Sequence, residues 1–177
     1  MATLSTSNIN IETPHVQVRP GLKLSEHQTT IVASVLDLFA GRPSLPKLSL
    51  WRDDATFSDQ FTIATGREKF SAQWYGLRKV FSDIERINHM VQDAGNPMLV
   101  DLRTKYVVKG IGMEEMVQSV VAVYLDGEGK IERVEDRWDG KLPEGSISEA
   151  FRRLGAATVP KIVSVPKNEE EDARRSN

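Results

Sequence analysis

The stretch from Ser82 to Trp138 constrains the fold more than any other part of the chain. Apolar and polar residues alternate along it with the period of a strand, and clusters of turn residues divide it. Asp93, Gly95 and Pro97 mark the first reversal, Gly110 and Gly112 the second, and Asp126-Gly127-Glu128-Gly129 the third. Strands are therefore predicted at about 82–92, 98–109, 114–125 and 130–138. Such short connections favour antiparallel neighbours, so these strands read as a meander. In the second of them Val100, Leu102, Thr104, Tyr106 and Val108 share one face, whereas Asp101, Arg103, Lys105 and Lys109 point the other way. One face is covered and the other meets water or a partner.

Upstream the period becomes helical. Ser25 and Gln28 read as a capping box, after which Ile31, Val35 and Phe39, flanked by Val32 and Leu36, recur on one face until Gly41 and Pro43. Pro43 can open a short second helix with Leu45, Leu48 and Trp51 three residues apart. Asp53 and Asp54 break that pattern, and Ala55 to Asp59 reads as a short strand. Thr65 and Glu68 suggest a second capping box, and Phe70, Trp74, Leu77 and Phe81 then line the strongest helix of the chain. A last short helix is predicted around Ile147 to Leu154.

The two ends read as tails, residues 1–24 and 158–177, around one domain at 25–157. The first mixes Thr, Ser, Asn and Pro with scattered apolar residues, although Val16 and Val18 suit a short docked edge strand. The second carries Glu169, Glu170, Glu171 and Asp172 against Arg174 and Arg175, a run that reads as a solvated tail. The fold class is thus α+β, a curved antiparallel sheet packed on helices.

Composition narrows the chemistry. With no Cys among 177 residues, disulfides, thiol nucleophiles and Cys-ligated metal sites are excluded. His15, His27 and His89 are far apart and the acids lack calcium-loop spacing, so no metal or other cofactor is expected. A net charge of -2 and the lack of a basic patch interleaved with aromatics argue against nucleic acid as a partner. The longest purely apolar run, Val120 to Leu125, is too short to span a bilayer, and no secretory pattern opens the sequence; a cytoplasmic protein without a membrane partner is the expectation. Gly110-Ile111-Gly112 and Gly127-Glu128-Gly129-Lys130 lie between strands, so they are hairpin turns and not nucleotide loops.

The order helix, short helix, short strand, helix and meander resembles the nuclear transport factor 2-like superfamily, which includes the SnoaL-like polyketide cyclases. Trp51-Arg52-Asp53-Asp54-Ala55-Thr56-Phe57, Gln73-Trp74-Tyr75-Gly76-Leu77 and the passage from Asp126 to Trp138 are similar to a group of SnoaL-like proteins of filamentous fungi. The resemblance implies a cystatin-like cone, its curved sheet wrapped around the N-terminal helices and enclosing a pocket. It also implies isomerases, cyclases, dehydratases, epoxide hydrolases or non-catalytic binding proteins, and it does not choose among them.

The pocket residues must choose. His89 alternates with Ile87 and Val91, which places all three on one inner face, as a proton carrier or as a core histidine with one hydrogen bond. The resemblance implies that a histidine on this strand can line the pocket. Asp136 alternates with Val134 and Trp138; among apolar neighbours its carboxyl would titrate high and suit acid–base work. The alternative is an ion pair with Arg133 or Arg137 at a sheet edge. The resemblance implies an acid–base aspartate late in the sheet, and Asp136 is the matching position. Asp59 is a third catalytic candidate, or simply a turn residue. Tyr106, Thr104, Trp138 and Tyr75 are candidates to contact a ligand, whereas Trp74 belongs to the core. Asp101 and Arg103 face outward, which speaks against an epoxide hydrolase and for ion pairing or a dimer contact. The reading is a small-molecule pocket protein, a homodimer acting on a small hydrophobic or carbonyl-bearing ligand. It is a cofactor-free isomerase, cyclase or dehydratase in one version and a non-catalytic ligand-binding or protein-interaction domain in the other.

Overall fold

The computed structural model describes residues 8–139, 144–156 and 163–175. Helix α1 spans Glu26–Phe39, α2 Leu45–Leu48 and α3 Arg67–Val80. Strands β1 (Trp51–Ser58) and β2 (Ile63–Thr65) lie between the helices, and β3 (Phe81–Asp93), β4 (Met98–Val108), β5 (Glu114–Leu125) and β6 (Ile131–Trp138) follow. Helices α4 (Ser146–Ala156) and α5 (Glu169–Arg175) close the described chain. The strands form one sheet of 6 in the order β2-β1-β6-β5-β4-β3. The predicted meander is its larger part, antiparallel throughout. What local periodicity does not convey is that β1 returns to pair with β6 in parallel, Phe57 opposite Val134.

The Ser25 capping box forms with both of its hydrogen bonds. The second box does not: Gly66 is the N-cap of α3, with φ 93°, and the Thr65 hydroxyl meets that of Thr56 across the β1–β2 pair at 3.0 Å. Only glycine adopts such a backbone readily, so the conformation displaces the cap that the spacing suggests. Trp51 is likewise not in a helix but opens β1. Asp53 and Asp54 do not end the element; they sit on its exposed side, bonded to Arg67 (2.6 Å) and Arg52 (2.8 Å).

The core lies between the helices and the inner face of the sheet. Trp51 and Phe70 stack at 4.9 Å between centroids, and Trp74 meets Phe57 at 4.7 Å and Phe39 at 5.1 Å. Beneath them α1 buries Asp37, which faces the buried Lys47 at 3.2 Å. Two charges removed from water need further partners. Asp37 receives the Glu12 N–H (2.7 Å) and the Thr13 hydroxyl (2.6 Å), and Lys47 donates to the Arg42 carbonyl (2.8 Å).

Those bonds correct the expectation of an unpacked N-terminal tail. Residues 8–24 form a strap on the body: Ile9 and Thr13 are buried, and Ile11, Val16, Val18, Leu22 and Leu24 pack against the core. Val18 makes a parallel bridge to Val91, the edge contact that its spacing allows. The C-terminal charge run is also not simply solvated. Asp172 is buried, accepting from the Tyr75 hydroxyl (2.6 Å) and the Leu45 N–H (2.7 Å), and Val163 is buried as well. The boundary expected at 157–158 lies outside the described residues.

Candidate functional site

At one end of the sheet a β1–β2 turn, three strands and α4 converge. Asp59 shapes the turn: its Oδ1 accepts the Phe61 N–H at 2.8 Å, and its own N–H bonds the Thr62 carbonyl at 3.0 Å. This local bonding turns the Phe61 ring toward Trp138 (5.5 Å) and Phe151 (6.2 Å). Phe151, from the apolar side of α4, also meets Trp138 at 4.8 Å, Phe81 at 4.9 Å and Tyr106 at 5.1 Å. An aromatic box thus closes over the inner faces of β4 and β6.

Asp136 lies against this box. The Trp138 indole N–H donates to its Oδ2 at 2.7 Å, whereas Oδ1 is buried with no hydrogen-bond partner among the described residues. Burial pushes its carboxyl up to about 7; the Ser119 hydroxyl and the Trp138 indole pull the other way, and Asp59 adds to the rise. The Ser119 hydroxyl, near enough to favour the ionised form, makes no hydrogen bond of ordinary geometry to Oδ1. Arg133 and Arg137 do not pair with Asp136. They point to the outer face and hold Glu135 at 3.3 and 2.7 Å, so the edge ion pair does not form with Asp136.

Tyr106 is buried on β4, two residues beyond Thr104 and on the same face. Burial raises its phenol, and Asp136 and Asp59 raise it further, which keeps the hydroxyl protonated. Thr104 Oγ1 and Thr62 Oγ1 are buried and make no hydrogen bond of ordinary geometry, although Thr104 lies near enough to Tyr106, and Thr62 to Asp59, to lower that group's pKa. Asp59 is half-buried and raised by desolvation, against the lowering effect of the Phe61 and Thr62 N–H groups and the Thr62 hydroxyl. Unpaired buried polar atoms are rare in folded proteins, and Asp136 Oδ1, Thr104 Oγ1 and Thr62 Oγ1 bring three of them to this region.

Asp136, Asp59, Tyr106, Thr104 and Trp138 therefore belong together, and His89 and Tyr75 do not. Ile87 is the extra residue of a bulge in β3 between Arg86 and Asn88. It turns out to 40% exposure, while His89 and Val91 stay inside. The expected sharing of a face by Ile87 and His89 fails for that reason. His89 stands opposite Leu102, which faces Ser119, which faces Trp138. Three strand spacings separate the two side chains' positions, roughly 14 Å. The His89 Nε2 instead accepts the Gln17 N–H at 3.0 Å. Tyr75 is spent on Asp172, which, after burial, helps to raise its phenol. Phe61 and Phe151 escape sequence reasoning because neither carries a local signal beyond being apolar.

No protein-family model matches the chain, and no curated protein matches it at a significant level. Solved structures do. An NTF2-like protein of unknown function from Burkholderia pseudomallei superposes with a TM-score of 0.56 at 12% identity, over 74% of this chain and 98% of that one. A steroid delta-isomerase from Pseudomonas aeruginosa gives 0.54 at 17% identity, over 80% and 95%. A phenazine biosynthesis-related protein from the same species gives 0.50 at 18%, over 81% and 92%. The fold is the nuclear transport factor 2-like, cystatin-like one. Among the described residues no helix is long and apolar enough to cross a membrane, and no cluster of His, Asp and Glu suits a metal ion.

Proposed function

We propose that this protein is a small-molecule pocket protein performing cofactor-free acid–base chemistry on a carbonyl-bearing metabolite: an isomerisation, cyclisation or dehydration. One observation carries the reading: Asp136 presents one buried, unpaired carboxylate oxygen beside the Tyr106 phenol while Trp138 holds the other. A carboxyl near 7 is populated in both forms at neutral pH, which suits a group that takes a proton and returns it. In this mechanism the ionised Asp136 removes a proton from the carbon beside the carbonyl. Tyr106 donates its O–H to the carbonyl oxygen as charge builds there, and the protonated carboxyl gives the proton back at another position. Thr104 supplies a second hydroxyl, and Phe61, Phe81 and Trp138 are walls against which a planar substrate stacks. Asp59 adds to the rise of its neighbour's carboxyl. The likeness in fold to a steroid delta-isomerase agrees with this chemistry.

Kinetics on a panel of β,γ-unsaturated ketones and β-hydroxy ketones test it. Asp136→Asn is expected to lower kcat by about 10²–10⁴ and Tyr106→Phe by less, with the His89 variants near wild type. Wild-type protein that turns over no member of the panel, or an Asp136→Asn variant as active as wild type, sinks the proposal. Phe151 favours the second reading, a non-catalytic ligand-binding domain, because its ring fills the space beside Asp136. Binding of the same ketones without turnover, seen by calorimetry, would select it. A homodimer through the outer face, where Asp101 is half-buried and Arg103 and Met116 are exposed, completes the proposal and is read by sedimentation velocity.

A further inference from the structure

The strap is fastened at two places of different chemistry. At the first, Glu12 N–H and the Thr13 hydroxyl both donate to Asp37, and Arg86 donates to the Thr13 hydroxyl at 2.9 Å. At the second, Val91 N–H donates to the Gln17 carbonyl (2.8 Å), Arg19 N–H donates to the Val91 carbonyl (3.0 Å), and Gln17 N–H donates to His89 Nε2 (3.0 Å). The last bond fixes a protonation state. A backbone N–H can only donate, so Nε2 must offer a lone pair, and the imidazole must be neutral.

We propose that His89 is a proton-sensitive latch: its protonation places two donors face to face and frees residues 15–19 of the strap from the edge of β3, while the Asp37 anchor keeps residues 12–13 docked. The surroundings of the ring support neutrality. It is 8% exposed, its cross-strand partner is Leu102, and the charged group nearest on its own strand is the cation Arg86. Burial and Arg86 both lower its pKa, and only the His15 backbone carbonyl on the strap works in the other direction. Asp37, on α1, faces Arg86 and is already occupied by the strap and by Lys47. The freed strap would leave the Val91 N–H and C=O on an open sheet edge, the kind of surface that takes up another strand.

The sign follows from linkage. A released His89 titrates near 6.5, and the latched one lower, so protons bind the released form more tightly. Opening begins as the pH falls below about 6.5, grows about tenfold for each further pH unit, and levels off below the pKa of the latched ring.

Amide hydrogen exchange by NMR, corrected for intrinsic rates, reads this directly. In the wild-type chain the protection of Gln17 and Arg19 is expected to fall by more than twofold between pH 7.5 and 5, while Val123 in β5 stays protected. In His89→Gln, whose side-chain carbonyl accepts but does not titrate over this range, their protection should be independent of pH. In His89→Leu, Gln17 should exchange fast already at pH 7.5. Wild-type protection unchanged within about twofold overturns the latch. So does a loss shared equally by Val123, or a His89→Gln variant that follows wild type. Because the wild-type titration with the Val123 control is decisive alone, a variant that failed to fold would not rescue the idea.

Discussion

Two aromatic clusters share this fold and behave differently. The first joins Phe39, Trp51, Phe57, Phe70 and Trp74 from α1, β1 and α3, and none of its rings exceeds 4% exposure. The second joins Phe61, Phe81, Tyr106, Trp138 and Phe151, and two of its rings, Phe61 and Trp138, are only half-buried. Ring spacings are similar in both. The unpaired polar atoms are not: in and next to the first they are the indole N–H groups of Trp51 and Trp74 and the Gln73 amide oxygen, and beside the second they are a carboxylate oxygen and the Thr104 and Thr62 hydroxyls. A buried indole N–H left unpaired costs about 1–3 kcal/mol but has no charge to shed, whereas a buried carboxyl titrates upward or finds a partner. The first cluster is a packing solution around apolar side chains, and the second is one built around a buried carboxyl.

If that contrast is sound, truncation in the closed cluster should cost most. Trp74→Ala is expected to remove about 3–5 kcal/mol of stability, measured by urea unfolding at pH 7. A loss below about 1 kcal/mol would mean that this cluster is as loosely built as the other.

Next comes the pH dependence carried by Asp136. Its carboxyl rises from 3.8 to about 7, so between those values the folded state holds a proton that the unfolded chain has released. Stability contributed by this group is therefore full below pH 3.8 and declines as the pH rises to about 7, by on the order of 4 kcal/mol at roughly 1.4 kcal/mol per pH unit. Asp136→Asn should flatten the decline in paired urea titrations, and a variant curve parallel to wild type would place the carboxyl in water.

Phe151→Ala sharpens the contrast further. We expect a loss of about 3 kcal/mol, at the low end for a buried ring, together with a gain that Trp74→Ala lacks. The emptied box lies against Asp136, so phenol should bind there better than benzene does, by at least threefold in a calorimetric titration. Equal binding of the two would indicate a purely apolar hole.

The smallest effect belongs to Trp138→Phe, which keeps a ring and deletes the indole N–H on Asp136 Oδ2. That bond lowers the carboxyl's pKa, so its loss should raise it, by about 1 kcal/mol in free-energy terms. The carboxyl stretch followed against pH by infrared spectroscopy would show the midpoint moving up. A midpoint that moves down contradicts the assigned geometry.

How much of this was legible in the sequence depends on how local each signal is. The meander was, because period-two alternation and the Gly-Asp-Pro punctuation of its turns are encoded within a few residues of where they act. The predicted strands 98–109 and 114–125 match β4 and β5 within a residue. The inward placement of Asp136, Tyr106 and Thr104 was legible for the same reason, since alternation on β4 and β6 runs unbroken through them. His89 was not, because the bulge at Ile87 shifts the phase of β3 and because its partner lies on a strap that has no period of its own. The aromatic box was invisible: Phe61 and Phe151 are far apart in the chain and meet only through the sheet's curvature and the docking of α4. The helix cap at Gly66 shows the same limit at short range, where backbone conformation overrides a side-chain spacing that looked sufficient.

The parallel pairing of β1 with β6 has a consequence for synthesis on the ribosome. Phe57 must wait for Val134, and at 5–20 residues per second that delay is on the order of 4–15 s. During it the nascent β1–β2 hairpin can pair within itself, but the edge of β1 that will meet β6 stays open beside an apolar face carrying Trp51, Ala55 and Phe57. The exposed side of that strand bears Asp53 and Asp54, charges that repel a like strand from a neighbouring nascent chain. A pair of aspartates that reads as a helix breaker in the sequence is thus well placed, within β1, to keep polysome-bound copies from pairing with one another.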